Sequence, residues 1–114
     1  YLKKAIKTGI IYLEYENIII SYIMKIIKFK KWNNYKIMIG NANIPYFGGL
    51  IANKISEMPN IDFGVVYRKI RNNKYLYTMR SINKNIDLNT IANKYNGSGH
   101  PGAASFIGPG DIFN

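Results

Sequence analysis

The sequence predicts a single α/β domain: one mixed β-sheet flanked by helices and preceded by a long N-terminal helix. Three observations predict it. Helical and strand periodicities follow one another in the order α, β, α, β, β, α, loop, β. The length of 114 residues fits one domain with a real core. With 47% hydrophobic and 19% charged residues and no low-complexity tract, the composition is globular, not disordered.

Residues 2 to 27 read as helix, because Ala5, Ile6, Ile10, Leu13, Ile20, Met24 and Ile27 recur near helical spacing. The run Asn17 to Ile27, NIIISYIMKII, is apolar on most sides, which predicts more than one packing neighbour. It is shorter than the roughly 20 apolar residues that span a bilayer. Glu14 and Glu16 bound it on one side, and Lys28, Lys30 and Lys31 on the other. A buried helix or an interfacial one remains.

Tyr35 to Ala42, YKIMIGNA, mixes β-branched and aromatic residues between asparagines and reads as a strand. Pro45 to Glu57 reads as a helix, with Pro in the first turn and Leu50, Ile51 and Ile55 in period. Gly48 and Gly49 weaken that first turn, or let the backbone approach something closely. Ile61 to Ile70 and Tyr75 to Ser81 are paired strands joined by a turn at Arg71–Lys74, where Asn tolerates positive φ. Asp87 caps a helix from Leu88 to Tyr95, ended by Asn96-Gly97. A glycine-rich loop, NGSGHPG, leads to a last strand around Ala104 to Ile107, and Gly108-Pro109-Gly110 is loop.

Sixteen Lys and Arg against six Asp and Glu give a net charge of +10, which favours a polyanionic partner, nucleic acid before anionic membrane. The richness in Ile, Lys, Asn and Tyr also fits an AT-rich gene, so the charge has a second reading as a solvated face. The absence of Cys excludes disulfides, thiol catalysis and Cys-based zinc sites. The chain opens on Tyr1, without a recognisable signal peptide, which suggests a fragment or a processed product; a cytoplasmic location is expected.

The six acidic residues are scattered, so a self-contained metal centre is not expected, and catalytic residues within this chain are none. No Ser stands in a G-x-S-x-G elbow. Phosphate binding needs donors, not a metal. Gly97, Ser98 and Gly99 can turn backbone N–H groups towards an anion, and His100, the single histidine, adds a ring N–H. Arg80 and Ser81, at a strand end, add a guanidinium fork and a hydroxyl. Taken locally, a simple turn and a solvated edge Arg explain both stretches better than an anion site does.

Their order along the chain is more specific. Y-x-M-R-S, then D-L-x-x-I-A-x-K-Y, then G-S-G-H-P-G-A-A-S-F resembles the DHH-associated domain, the C-terminal substrate-binding domain of DHH-family phosphoesterases. These include RecJ-like exonucleases, nanoRNA hydrolases (oligoribonucleases) and cyclic-dinucleotide phosphodiesterases. The resemblance is strongest over residues 62–106 and extends upstream through NANIPYFGGLIANKISEMPNIDFGVVY. It implies that residues 1–30 are a connector helix from a first domain and that residues 31–114 are the substrate-binding domain. It further implies that catalytic metals, usually Mn2+, sit in an N-terminal DHH domain in cis. This chain holds no Asp-His-His motif and on this reading is inactive alone. Gly97, Gly99 and His100 would hold a phosphate or terminal nucleotide, and Arg80 and Ser81 a neighbouring phosphate. Ala103 and Ala104 would allow close backbone packing. The implied partners are short RNA or DNA or a cyclic nucleotide, with a homodimer also compatible and a membrane not expected. Two positions depart from the family loop G-G-G-H-x-x-A-A-G-F: Ser98, which adds a hydroxyl or tightens the loop, and Ser105, expected to be a packing change. The runner-up reading is a stand-alone nucleic-acid-binding module without chemistry.

Overall fold

The computed structural model describes residues 2–43 and 48–114, with side chains from Leu13 onward. Its elements are α1 (Leu2–Met24), β1 (Lys28–Trp32), β2 (Tyr35–Asn41), α2 (Gly48–Ser56), β3 (Phe63–Arg71), β4 (Lys74–Arg80), α3 (Leu88–Asn93), β5 (Ser98–His100) and β6 (Ala103–Gly108). The six strands form one mixed sheet in the order β1-β2-β3-β4-β6-β5. Only β2 and β3 run parallel, as the crossover through α2 demands; the other pairs are antiparallel. The α/β class and the mixed sheet are those expected from the sequence.

Two strands were not expected. The first helix stops at Met24 instead of running to residue 27 or beyond, and β1 begins at Lys28, so the sheet starts before residue 31. The hairpin is made by Asn33 (φ 46°) and Asn34 (φ 70°), a two-residue turn with both φ positive, between the paired Trp32 and Tyr35. KFKKW gives little sign of this, because its lysines resemble a solvated run; the Asn-Asn step is the sign that was there. The glycine-rich stretch likewise is not all loop: Ser98–His100 is an edge strand paired with Ala103–Ser105. The expected helix start at Pro45 lies outside the described residues, as do the side chains of Ala5, Ile6 and Ile10.

The sheet separates two cores. On one face, Phe63, Val65, Tyr77, Met79, Ala104 and Phe106 pack beneath α3 and the C-terminal Phe113. Aromatic rings dominate, with Tyr77 stacked on Phe106 at 4.9 Å and Tyr95 on Phe106 at 4.6 Å. On the other face, Val66 and Ala42 meet Ile51, Ala52 and Ile55 of α2 and Ile20 and Ile23 of α1. Gly64 is required there: a Cβ would lie 2.7 Å from Ile55 Cγ2 and 3.2 Å from the Ala52 carbonyl oxygen. The end of α1 is thus a core element. Ile19 and Met24 also pack against this core, but Ile18 and Tyr22 stay 68% and 66% exposed, so the packing on several sides that the sequence suggested is met only in part. No helix among the described residues is long and apolar enough to cross a membrane.

Candidate functional site

Register places the candidate residues on one face. In the sheet Arg80 pairs with Ala103, and Ala103 pairs with His100. Directly paired residues share a face, so these three form a row across β4, β6 and β5, with Arg80 and His100 about 10 Å apart on either side of a methyl. The next row on the same face is Thr78, Ser105 and Ser98. This is the face that α2 covers over β3. Among the described residues no helix covers it over β6 and β5, where Ser98 and His100 are exposed. Six strand positions therefore share one face, a trough that α2 covers at its β4 end and that lies open over β6 and β5, with one guanidinium, one imidazole and three hydroxyls.

Arg80 is fixed by its surroundings. Its Nη1 donates to the Met79 carbonyl oxygen at 2.8 Å, and a Cβ on Gly49 would come within 3.1 Å of Nη2. The guanidinium therefore lies against the first turn of α2. Burial pushes its pKa below the usual value, which marks the cost of holding a cation there. The N-terminal end of a helix also carries partial positive charge, so an anion in the trough relieves both. Gly49 permits this approach, whereas a Cβ on Gly48 would make only ordinary contact, 3.5 Å from Thr78 Oγ1. The sequence signal for them was the Gly-Gly pair itself.

His100 is held through the backbone beside it. The β5–β6 turn is tied on two sides: Leu88 N–H donates to the Pro101 carbonyl at 2.9 Å, and Ser81 N–H donates to the Gly102 carbonyl at 3.0 Å. The start of α3 and the end of β4 thus set where the histidine strand sits. Asp87 caps α3 as expected, accepting from Asn89 N–H at 3.0 Å.

The other candidates have structural work in this arrangement. The Gly97 N–H donates to the Ala92 carbonyl at 2.9 Å, closing the end of α3, and Asn96 (φ 63°) takes the left-handed position there. A Cβ on Gly97 would fall on the Ser105 carbonyl oxygen and 2.5 Å from Phe106 Cβ; one on Gly99 would fall on the Ala103 carbonyl oxygen and 2.5 Å from Ala104 Cα. Both glycines are needed for β5 to reach β6, whatever else the loop does. Ser81 Oγ donates to the Asp62 carbonyl at 2.7 Å and accepts from Asn83 N–H at 3.1 Å. Its one proton is thereby engaged, and it anchors the strand end that carries Arg80. Ser105, expected to be a packing change, instead stands opposite Ser98 on the open face. Thr78 was not singled out from the sequence; alternation from Arg80 along β4 places it beside the row. Among the described residues no group of three or more His, Cys, Asp and Glu can hold a metal ion.

A mixed sheet with one half of this face covered by a helix and the other half open, and an Arg–His row running across both, defines the class of α/β domain. Comparison with known proteins adds where that fold recurs. The chain superposes on part of an exopolyphosphatase-related protein of Bacteroides fragilis with a TM-score of 0.63 and 18% identity, covering 80% of this chain and 28% of that one. It superposes on part of a pGpG-specific phosphodiesterase of Vibrio cholerae with a TM-score of 0.61 and 11% identity, covering 88% of this chain and 35% of that one. No family model matches the sequence. An uncharacterised protein of Acanthamoeba polyphaga mimivirus is 33% identical over 106 residues, 89% of this chain. The chain spans 25% of the length of that relative.

Proposed function

We propose that this chain is the substrate-binding domain of a metal-dependent phosphodiesterase of the DHH family, acting on short oligonucleotides or a cyclic nucleotide. The observation that carries the reading is the row Arg80–Ala103–His100, which runs from the α2-covered strand β4 to the uncovered strands β6 and β5. Its fold, shared with parts of two phosphoesterase-related proteins, supports it. The guanidinium keeps N–H groups free beyond the one given to Met79, and these suit the non-bridging oxygens of one phosphate. The imidazole, two strands away, donates to a neighbouring phosphate or a terminal nucleotide. Ala103 between them leaves room for the sugar-phosphate chain, and the hydroxyls of Ser98, Ser105 and Thr78 add neutral donors.

The described residues do not fit a catalytic metal. In this reading manganese belongs to a DHH domain elsewhere in the same cytoplasmic protein. The present residues bind, orient and neutralise the substrate, which is where positioning and electrostatic stabilisation act. Gly97 and Gly99 bring the loop backbone close to the trough, and Ser81 acts behind Arg80 as a positioning residue.

Calorimetric titration with a dinucleotide tests the proposal. His100→Ala and Arg80→Gln each weaken binding by roughly 1–3 kcal/mol, the range for a charge-assisted hydrogen bond. Arg80→Lys keeps the charge and loses the fork, so it recovers only part of the loss. Unchanged affinity in folded variants removes these residues from the site. Manganese-dependent hydrolysis by the full gene product, with none by residues 1–114, supports the enzyme. Binding without hydrolysis by the full product supports the stand-alone module, which the charge of +10 also suits.

A further inference from the structure

We propose that the opposite face of the sheet carries a second binding site, a pocket for a nucleoside monophosphate between β1 and the C-terminal segment. The cavity has a volume of about 390 Å³, within the range of small-ligand pockets. One wall is the sheet: Lys28 and Lys30 of β1, Ile39 and Asn41 of β2, and Tyr67 of β3. The other wall is the C-terminal segment, ending in Phe113 and Asn114.

That second wall is anchored. Trp32 Nε1 donates to the Ile112 carbonyl at 3.0 Å, and the Tyr77 hydroxyl donates to the Pro109 carbonyl. The Phe113 ring lies 4.6 Å from the Trp32 ring and 5.4 Å from that of Tyr77. The cavity is therefore walled on two sides by fixed structure.

The lining chemistry selects the ligand. Lys28 and Lys30 are two residues apart on one strand, so their stems leave the same face about 7 Å apart. No Asp or Glu side chain lines the pocket. Two neighbouring ammonium groups suit a dianionic phosphate monoester. Lysines on an edge strand also serve simply to block edge pairing. Lys31 suffices for that on the other face, opposite Lys36. Beside Lys28 and Lys30 the half-buried Tyr67 ring, stacked on Tyr77 at 5.7 Å, lines the pocket as an aromatic surface for a base, and the exposed Asn41 amide offers a donor and an acceptor to its edge. This site shares no residue with the Arg80–His100 trough, so it stands or falls separately from the phosphodiesterase reading.

The test is a titration with a nucleoside 5′-monophosphate followed by amide NMR shifts, in protein carrying R80Q and H100A so that the other face is silent. Saturable shifts at Asn41 and Tyr67 are expected. K28A/K30A weakens binding about tenfold or more, the scale of losing charge-assisted bonds, while K31A/K36A removes the same charge from the other face and changes it less than about twofold. Inorganic phosphate binds about tenfold more weakly than the nucleotide. All four lysines are on the exterior or half-exposed, and melting curves confirm that both doubles fold. Equal losses in the two lysine doubles overturn the site, as does the absence of saturable shifts at Asn41. Equal affinity for phosphate and nucleotide overturns the choice of ligand.

Discussion

At Tyr77 the chain buries a phenol, 1% exposed, under stacked aromatic rings; its hydroxyl donates to the Pro109 carbonyl, with the Ile112 backbone beside it. Burial disfavours the phenolate and raises the pKa from 10.0 to about 12. The sign follows. The folded pKa lies above the unfolded one, so the stabilisation is fully present below pH 10 and is lost as pH rises through about 12. Melting curves between pH 9 and pH 12 check this against Tyr77→Phe. The variant is less stable at neutral pH by about 1 kcal/mol, the worth of one hydrogen bond, and falls less steeply in alkali. A parallel decline in both proteins would assign the loss to other groups. Asn33, Asn34, Asn60, Asn73 and Asn96 all hold positive φ at turns, so a composition bias towards Asn is put to conformational use.

The element that matters most to the site is the short helix α3, although it contributes no residue to the trough. Asp87 caps it, Leu88 N–H holds the Pro101 carbonyl, and Ala92 holds Gly97, so both ends of β5 depend on six helical residues. Leu88, Ile91 and Ala92 bury the inner side against Phe106 and Ala104. Asp87→Ala is expected to lower stability by about 1 kcal/mol, measured by urea unfolding. It should also loosen the β5–β6 turn, read as faster hydrogen exchange at Leu88 and Ser81. Exchange that stays at the wild-type rate would show that the turn holds itself. On the covered half of the sheet α2 has the corresponding task, seating the Arg80 guanidinium over its glycine pair.

Over the whole molecule the net charge of +10 sets the ionic-strength behaviour. Binding of a single strand loses affinity with salt at a slope near −0.7 per phosphate contact. If Arg80 grips a phosphate, Arg80→Gln reduces the slope by about one contact, whereas an Ala at the distant Lys94 leaves it within error. Fluorescence anisotropy of a labelled oligonucleotide from about 50 to 200 mM salt reads this directly. A slope that drops equally for both variants would mean that the charge acts as a diffuse cloud and that the row is not a site.

The sequence by itself determined the α/β class, the β3–β4 hairpin, the Asp87 cap and the company of Arg80 with the Gly-His loop. Those features are local or periodic: a cap, a turn and an alternating strand are written within a few neighbouring residues. It did not disclose β1 or β5, because Lys-Phe-Lys-Lys-Trp and Ser-Gly-His become strands only when partners are available to pair with them. It did not disclose that Ser81 holds Asp62 instead of facing the trough, a contact across 19 positions of the chain. Only the tertiary structure decided which face each candidate occupies. Register is set between strands far apart in sequence, and a slip of one residue would turn Arg80 and His100 into the aromatic core.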